Sequence, residues 1–313
     1  MKFNPNTTYD IVGIGATPLD TLIVVEKFPQ GREVQPTLDF TCCSGGPVGT
    51  ALSAASRLGS KTIMIDKISD DITGKSIIAD FLNYNVDTSA IQIENNKKSA
   101  CATILVEKAT GDRAIYFTPS TAGELTNISP FTKIITTSKI LHINGRHKEI
   151  LTAAINLAKK HNVQISFDGG ANRYNDFNNF LAQQADICIL AKDFANKYTK
   201  ETNTVKALKI IIDKGSTIAG ITLGNQGSYL MDNHYNLIYQ PAFKQKITID
   251  TTGCGDSYHG AFLYSILNDY SLTQSAQIAS AVASMNTQKL GSRGNLPTLD
   301  QLQYFLKQHN INI

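Results

Sequence analysis

The chain has 313 residues, 42% hydrophobic and 18% charged, enough apolar material for one large domain, or one domain with a smaller appendage. Its 29 Lys and Arg stand against 26 Asp and Glu, a formal net charge of +3 with no Lys/Arg run longer than two residues, which argues against nucleic acid or an anionic membrane as partner. Five cysteines at 42, 43, 101, 188 and 254 without Cys-x-x-Cys spacing predict a reduced, cytoplasmic protein. The N-terminus "MKFNPNTTYDIVGIG" predicts no export signal, and no apolar run is long enough for a membrane span.

In chain order, "YDIVGIG" (9–15) reads as a buried strand, and residues 20–42 alternate apolar and polar at period two. A helix is expected over 47–58, a strand over 61–68 and a helix over 74–85. Residues 99–118 alternate again, with "TGD" marking a hairpin turn. Strands at 139–143, 163–168, 186–190 and 218–224 then interleave with helices at 148–161 and 204–214. This order predicts an α/β fold in which a mostly parallel sheet carries helices on both faces. The two alternating sections predict a small accessory sheet, a lid over whatever binds at the strand C-termini.

Several motifs lose their functional reading on inspection. "GIGATP" (13–18) begins like a dinucleotide fingerprint, but Pro18 stands where the third glycine belongs. "SDDITGKS" (69–76) lacks the first glycine of a P-loop, and its Gly74-Lys75 reads as a helix start. The six histidines show no metal-ligand spacing.

Two glycine-rich stretches remain. "SGGPVGTALSAASRLG" (44–59) permits close backbone approach at Gly45 and Gly46 ahead of a small-faced helix. In "IDTTGCGDSYHG" (249–260), Gly253, Cys254 and Gly255 leave backbone N–H groups bare at a helix start, where anions bind. An aspartate at that point, Asp256, makes chemical sense for phosphoryl transfer, in which the protein positions charge and removes one hydroxyl proton. An N-capping role would account for the aspartate but not for both flanking glycines.

"DTTGCGDSYHGA" resembles the C-terminal signature of the ribokinase-like (PfkB) carbohydrate kinases, with Cys254 for the usual Ala and Tyr258 for the usual Phe. "GIGATPLD", "GGPVGTALSAASRLG", "DKISDDITGKSIIADFLNYNVDTS", "TLGNQGSYL" and "KLGSRGNLP" continue the resemblance through almost the whole chain. "ILHINGRHKEILTAA" and "VVEKFPQGREV" look closest to the ketohexokinase and sulfofructose kinase-like branch. The resemblance implies a single ribokinase-like domain over 1–313, a three-layer α/β/α sandwich with a β-sheet lid from about 20–42 and 99–118.

It also implies an ATP-dependent sugar kinase acting on a hydroxyl of a ketose-type sugar or derivative. Asp256 would be the general base, with Gly253, Cys254 and Gly255 as a backbone anion hole. Asp20, at the end of the first strand, would bind the sugar with Gly45, Gly46, Thr50 and Arg146, and Arg32 would be a weaker candidate from the lid. Thr222, Gly224 and Gly227 would line the triphosphate, and Asn286 and Gly291 the nucleoside. ATP and Mg2+ are the implied cofactors, with K+ near Asp250 and Thr252. A homodimer through the lid is compatible, for which 99–107 would suit an edge-strand clasp.

Thr50 and Pro47 replace the asparagines expected in the first signature, and no Asn-x-x-Glu element stands at 190–198, which leaves magnesium to be held through phosphate and water. Two alternatives stay open: a nucleoside kinase on the same scaffold, which needs an apolar slot for a base, and a non-catalytic sugar or nucleotide-binding module.

Overall fold

Burial follows the predicted periodicities. In the computed structural model, which describes residues 3, 7–32, 34–110 and 112–313, strand β1 (Tyr9–Ile14) sends Val12 and Ile14 into one apolar core and Ile11 into another. The two cores lie on opposite faces of one sheet, since successive strand side chains alternate. Among the described residues this sheet has nine strands: β1, β4 (Thr62–Ser69), β5 (Ile91–Glu94), β8 (Ser138–Ile143), β9 (Gln164–Gly169), β10 (Ile187–Ala191), β11 (Ile218–Thr222), β12 (Ser228–Asp232) and β13 (Leu237–Gln240). The order is β13-β12-β11-β10-β9-β8-β1-β4-β5, antiparallel only where β12 meets β11 and β13.

Helices α3 (Thr132–Thr136), α4 (Lys148–Lys160), α5 (Asp176–Gln184), α6 (Lys192–Thr199) and α7 (Thr204–Asp213) bury their apolar residues on one face. On the other lie α1 (Pro47–Arg57), α2 (Ile72–Asn83), α8 (Cys254–Leu267), α9 (Leu272–Asn286) and α10 (Leu299–Gln308). The last two open with capping boxes, Ser271 with Gln274 and Thr298 with Gln301, each cap worth about 1 kcal/mol. Gly13 and Gly15 are glycines because side chains there would collide with Val48 and Leu52 of α1, which accounts for the fingerprint-like "GIG" without a dinucleotide. Likewise Asp71 caps α2 by accepting from Gly74 N at 2.8 Å, so the P-loop-like stretch is a helix start, two residues earlier than expected.

Strand order reverses at β1, with β4 on one side and β8 on the other, a switch point that opens a crevice at the strand C-termini. Over it stands a second sheet of β2 (Leu19–Val25), β3 (Asp39–Ser44), β6 (Cys101–Glu107) and β7 (Arg113–Thr118), in the order β3-β2-β6-β7. This is the predicted lid, although Gly111 of its turn lies outside the described residues. Leu22, Ala102, Ile104 and Val106 form its inner face against Leu290.

Two expectations change here. Asp20 is the second residue of lid strand β2, because Pro18 ends the first-strand loop and the chain crosses into the lid. Strand β6, paired on both sides by β2 and β7, cannot be an edge clasp; the free edges are β3 and β7. The five cysteines are unpaired, and among the described residues no helix is long and apolar enough to cross a membrane.

Candidate active site

Gly260 brings α8 against α1, since a Cβ there would strike the Ala51 backbone. Both helices begin after a glycine of positive φ, Gly46 at 83° and Gly253 at 74°, and neither has a side-chain cap. A side chain on Gly253 would strike the Ser292 backbone, so conformation and packing both demand glycine. Gly255 differs: it has ordinary helical geometry, is exposed, and a Cβ would meet nothing within 4 Å. The fold therefore has no packing use for that glycine, and the space above it is open to a ligand. Ser257 N returns to Gly253 O at 2.8 Å and Cys254 N to Thr251 O at 3.4 Å, while the N–H groups of Gly255 and Asp256 have no acceptor among the described residues. They stand at the positive end of a fourteen-residue helix, a position chemically able to hold an anion.

Asp256 stands in the first turn of α8, partly exposed. Burial, then the Asp168 carboxylate, push its carboxyl up to about 6. Asp20, over Gly45 where a Cβ would overlap its carboxylate, is also pushed up to about 6, by burial and in smaller part by Asp256, against the pull of Arg293. Asp256, from the body, thus lies near enough to Asp20, from the lid, to raise its pKa. The Cys254 thiol is driven up to about 12 by burial and by Asp250 and Asp256, which keeps it protonated and unsuited as a nucleophile.

Some sequence-nominated residues occupy other roles. Thr50 is fully buried, its hydroxyl within 3.5 Å of Arg293 Nε. Asn286 is fully buried too; it donates to Ser292 O at 2.9 Å and accepts from Asn295 N at 3.1 Å, which holds the loop. Gly291 lies buried under lid strand β3, near Cys43 and Thr41, with its N–H given to Asp250. Asp250 and Thr252 do not offer an open cation site: Thr252 N and Oγ1, Gly291 N and Arg113 Nη2 all donate to the Asp250 carboxylate.

Arg146 follows β8, but its Nη1 lies 3.1 Å from Glu124 Oε1, and Arg32 is exposed in the β2–β3 connection. Thr222 ends β11, and Gly224 and Gly227 (φ 59° and 95°) shape the turn after it. Beside that turn a depression of about 360 Å³ is lined by Leu223, Asn225, Gln226, Tyr239 and Lys244.

The sequence reading missed four groups. Arg293 is buried and knits the site together: it donates to Ser44 Oγ at 2.7 Å, Asp80 Oδ2 at 2.8 Å and Gly45 O at 3.2 Å, and stacks on Phe81 at 4.6 Å. Asp168, at the end of β9, meets His259 Nε2 at 3.2 Å; burial alone would raise its carboxyl, but His259 and Arg173 outweigh that and hold it down at about 2. Arg173, exposed beside Asp168, acts on Asp256 as well. Ile115 and Phe117 of β7 are exposed and share the inner lid face with Asp20 through the pairs Ile104–Ile115 and Ala102–Phe117. The strand-end aspartate in "SFDGGANR" was a legible signal, whereas Arg293 looked like any loop arginine.

Comparison with known proteins bears on the family and the fold. The model for "pfkB family carbohydrate kinase" matches residues 9–299. The 5-dehydro-2-deoxygluconokinase of Bacillus licheniformis is 26% identical, covering 96% of this chain and 97% of that one. The enzyme of the same name from Clostridium beijerinckii is also 26% identical, over 98% and 96%. Among solved structures, a putative ribokinase from Agrobacterium tumefaciens superposes with a TM-score of 0.87 at 20% identity, covering 96% and 98%. Arabidopsis thaliana ribokinase complexed with ribose and ATP gives 0.80 at 21%, covering 96% and 99%. A putative ribokinase II from E. coli, in complex with ATP and Mg2+, gives 0.85 at 18%, covering 96% and 100%. A family match over almost the entire chain, on a fold shared with those ribokinases, makes this protein an enzyme of the pfkB family of carbohydrate kinases.

Proposed function

We propose that the protein transfers the γ-phosphoryl group of ATP to a hydroxyl of a ketose-type sugar or sugar derivative. The observation that carries this reading is Asp256, raised in pKa and set beside unclaimed N–H groups at the start of α8, across the cleft from Asp20. Asp256 accepts the proton of the attacking hydroxyl, the N–H groups of Gly255 and Asp256 hold the transferring oxygens, and Asp20 orients the acceptor. Arg173, near both Asp168 and Asp256, adds positive charge where the phosphoryl group crosses. ATP lies along the turn of Thr222, Gly224 and Gly227. Magnesium is carried in on the nucleotide and held through phosphate and water. The cytoplasm, with its reduced thiols and ATP, is the matching compartment. A homodimer through the lid would use its outer face, where Phe40 and Tyr116 are exposed.

The named relatives support a keto sugar acid as acceptor. A nucleoside is the second reading, supported by Ile115 and Phe117, apolar side chains on the same lid face as Asp20 that could border a base. A panel of 5-dehydro-2-deoxygluconate, ketoses, their phosphates and nucleosides, scored for acceptor-dependent ADP release, separates them. Preference for a nucleoside would overturn the sugar assignment, and ATP binding without any turnover would return the chain to a binding module.

Two further outcomes are expected. Asp20→Asn should raise the acceptor KM about tenfold or more while leaving the ATP KM within about twofold, as a charged hydrogen-bond partner contributes about 1.5–3 kcal/mol; equal weakening of both would indicate a structural strand end. Because Asp256 works only when ionised, kcat/KM should climb through about pH 6 and level off above it. Asp20 titrates in the same window, so the acid limb should be steeper than one proton in the native enzyme and relax to one in Asp20→Asn. An acid limb centred near pH 4 would contradict the raised base.

A further inference from the structure

We propose that Arg113, from the lid, supplies the positive charge that the family resemblance assigns to a potassium ion at Asp250, and that phosphoryl transfer here runs without a monovalent cation. The inference rests on the reading of residues 253–256 as the anion site. Asp250 is 3% exposed, and a buried carboxylate needs counter-charge or several donors. It has both. Oδ1 accepts from Arg113 Nη2 at 2.5 Å, from Thr252 N at 2.8 Å and from Thr252 Oγ1 at 2.7 Å, while Oδ2 accepts from Gly291 N at 2.9 Å. A carboxylate offers about two acceptor positions on each oxygen, so Oδ1 with its three donors is full, and a cation seeking it would meet a guanidinium already there.

The origin of that guanidinium gives the contact its function. Arg113 opens β7, an edge strand of the lid, and pairs with Val106 on the buried inner face. Its Nη2 also lies 3.3 Å from Thr251 Oγ1. Residues 250–252 run directly into Gly253, so a side chain of the lid edge holds the segment that sets the start of α8. Lid position and anion-site geometry are thereby joined by one ion pair. A bound metal ion at Asp250 would instead be independent of the lid.

The test compares wild type, Arg113→Gln and Arg113→Lys, each freed of small monovalent cations and assayed with about 100 mM potassium chloride or tetramethylammonium chloride at matched ionic strength. Wild type should differ by less than about twofold between the salts, while Arg113→Gln should lose about tenfold or more of kcat/KM in tetramethylammonium and recover much of it in potassium, because removing one partner strands a buried charge. Arg113→Lys, keeping the charge, should remain indifferent to the salt. Thermal unfolding provides a second reading independent of turnover: potassium should raise the Tm of Arg113→Gln but not of wild type. Activation of wild type by potassium of more than about fivefold, or an Arg113→Gln enzyme indistinguishable from wild type in both salts, would overturn the proposal. If residues 253–256 were not the catalytic segment, Asp256→Asn would stay active while the Tm response to potassium still reported on Arg113.

Discussion

Asp256→Asn is expected to lower kcat by about 10²–10⁴-fold, the range of a lost general base, while ATP binding stays within about twofold. The amide keeps the volume of the carboxylate and leaves the N–H groups of Gly255 and Asn at 256 where they are, but it cannot accept the hydroxyl proton. The same change should stabilise the fold. The carboxyl titrates at about 6 in the folded protein against an ordinary 3.8, so the native state holds this proton more tightly than the unfolded chain does. Stability contributed by that proton is present at low pH and is lost as pH rises from about 4 through 6. At neutral pH the ionised Asp256 faces Asp168 unfavourably, and asparagine removes that repulsion. A Tm increase of about 2 °C or more at pH 7.5, shrinking toward pH 4, is the signature. An inactive variant with an unchanged or lower Tm would place Asp256 in a structural role, and one keeping more than about a tenth of wild-type kcat would end its assignment as the base.

Arg293→Met should give the largest stability loss of any single substitution discussed. Arg293 is 2% exposed, and its guanidinium joins three separate parts of the chain: Ser44 and Gly45 before α1, Asp80 and Phe81 on α2, and its own loop after α9. Methionine matches much of the volume but leaves Asp80, its side chain only 18% exposed, facing nothing positive. Breaking a buried pair from one side costs about 3–5 kcal/mol, on the order of 5–10 °C in Tm for a chain of this size. The double variant Arg293→Met with Asp80→Leu should recover a substantial part of the loss, since the stranded charge is then gone. Function should suffer separately. Arg293 is the positive group that opposes the upward push on the Asp20 carboxyl, so its removal should raise acceptor KM and shift the acid limb to higher pH. If the double variant were no more stable than the single one, packing rather than charge would be the reason Arg293 is buried.

Local chemistry was enough to read the α/β alternation, the lid and the start of α8. Period-two patterns at 20–42 and 99–118 belong to half-buried strands wherever they fold, and Gly253 before a helix predicts its own positive φ. That Asp20 and the Gly45-Gly46 turn serve one ligand was implied by the family resemblance, and the structure brings them together: a Cβ on Gly45 would overlap the Asp20 carboxylate. What could not be read was which polar side chains turn inward. Thr50, Asn286 and Gly291 were nominated through the family resemblance, and only the tertiary structure shows the partners they hold within the protein, Arg293, Ser292 and Asp250.

The same limit governs charge. A pKa shift or a counter-ion depends on distances between residues far apart in the chain. Arg113 and Asp250 are 137 positions apart and Arg293 and Asp80 are 213 apart, so no sequence window contains either pair. Periodicity and backbone conformation are properties of neighbouring residues and survive in the sequence; the partners of a buried charge are chosen by the packing of layers, and only the tertiary structure reveals them.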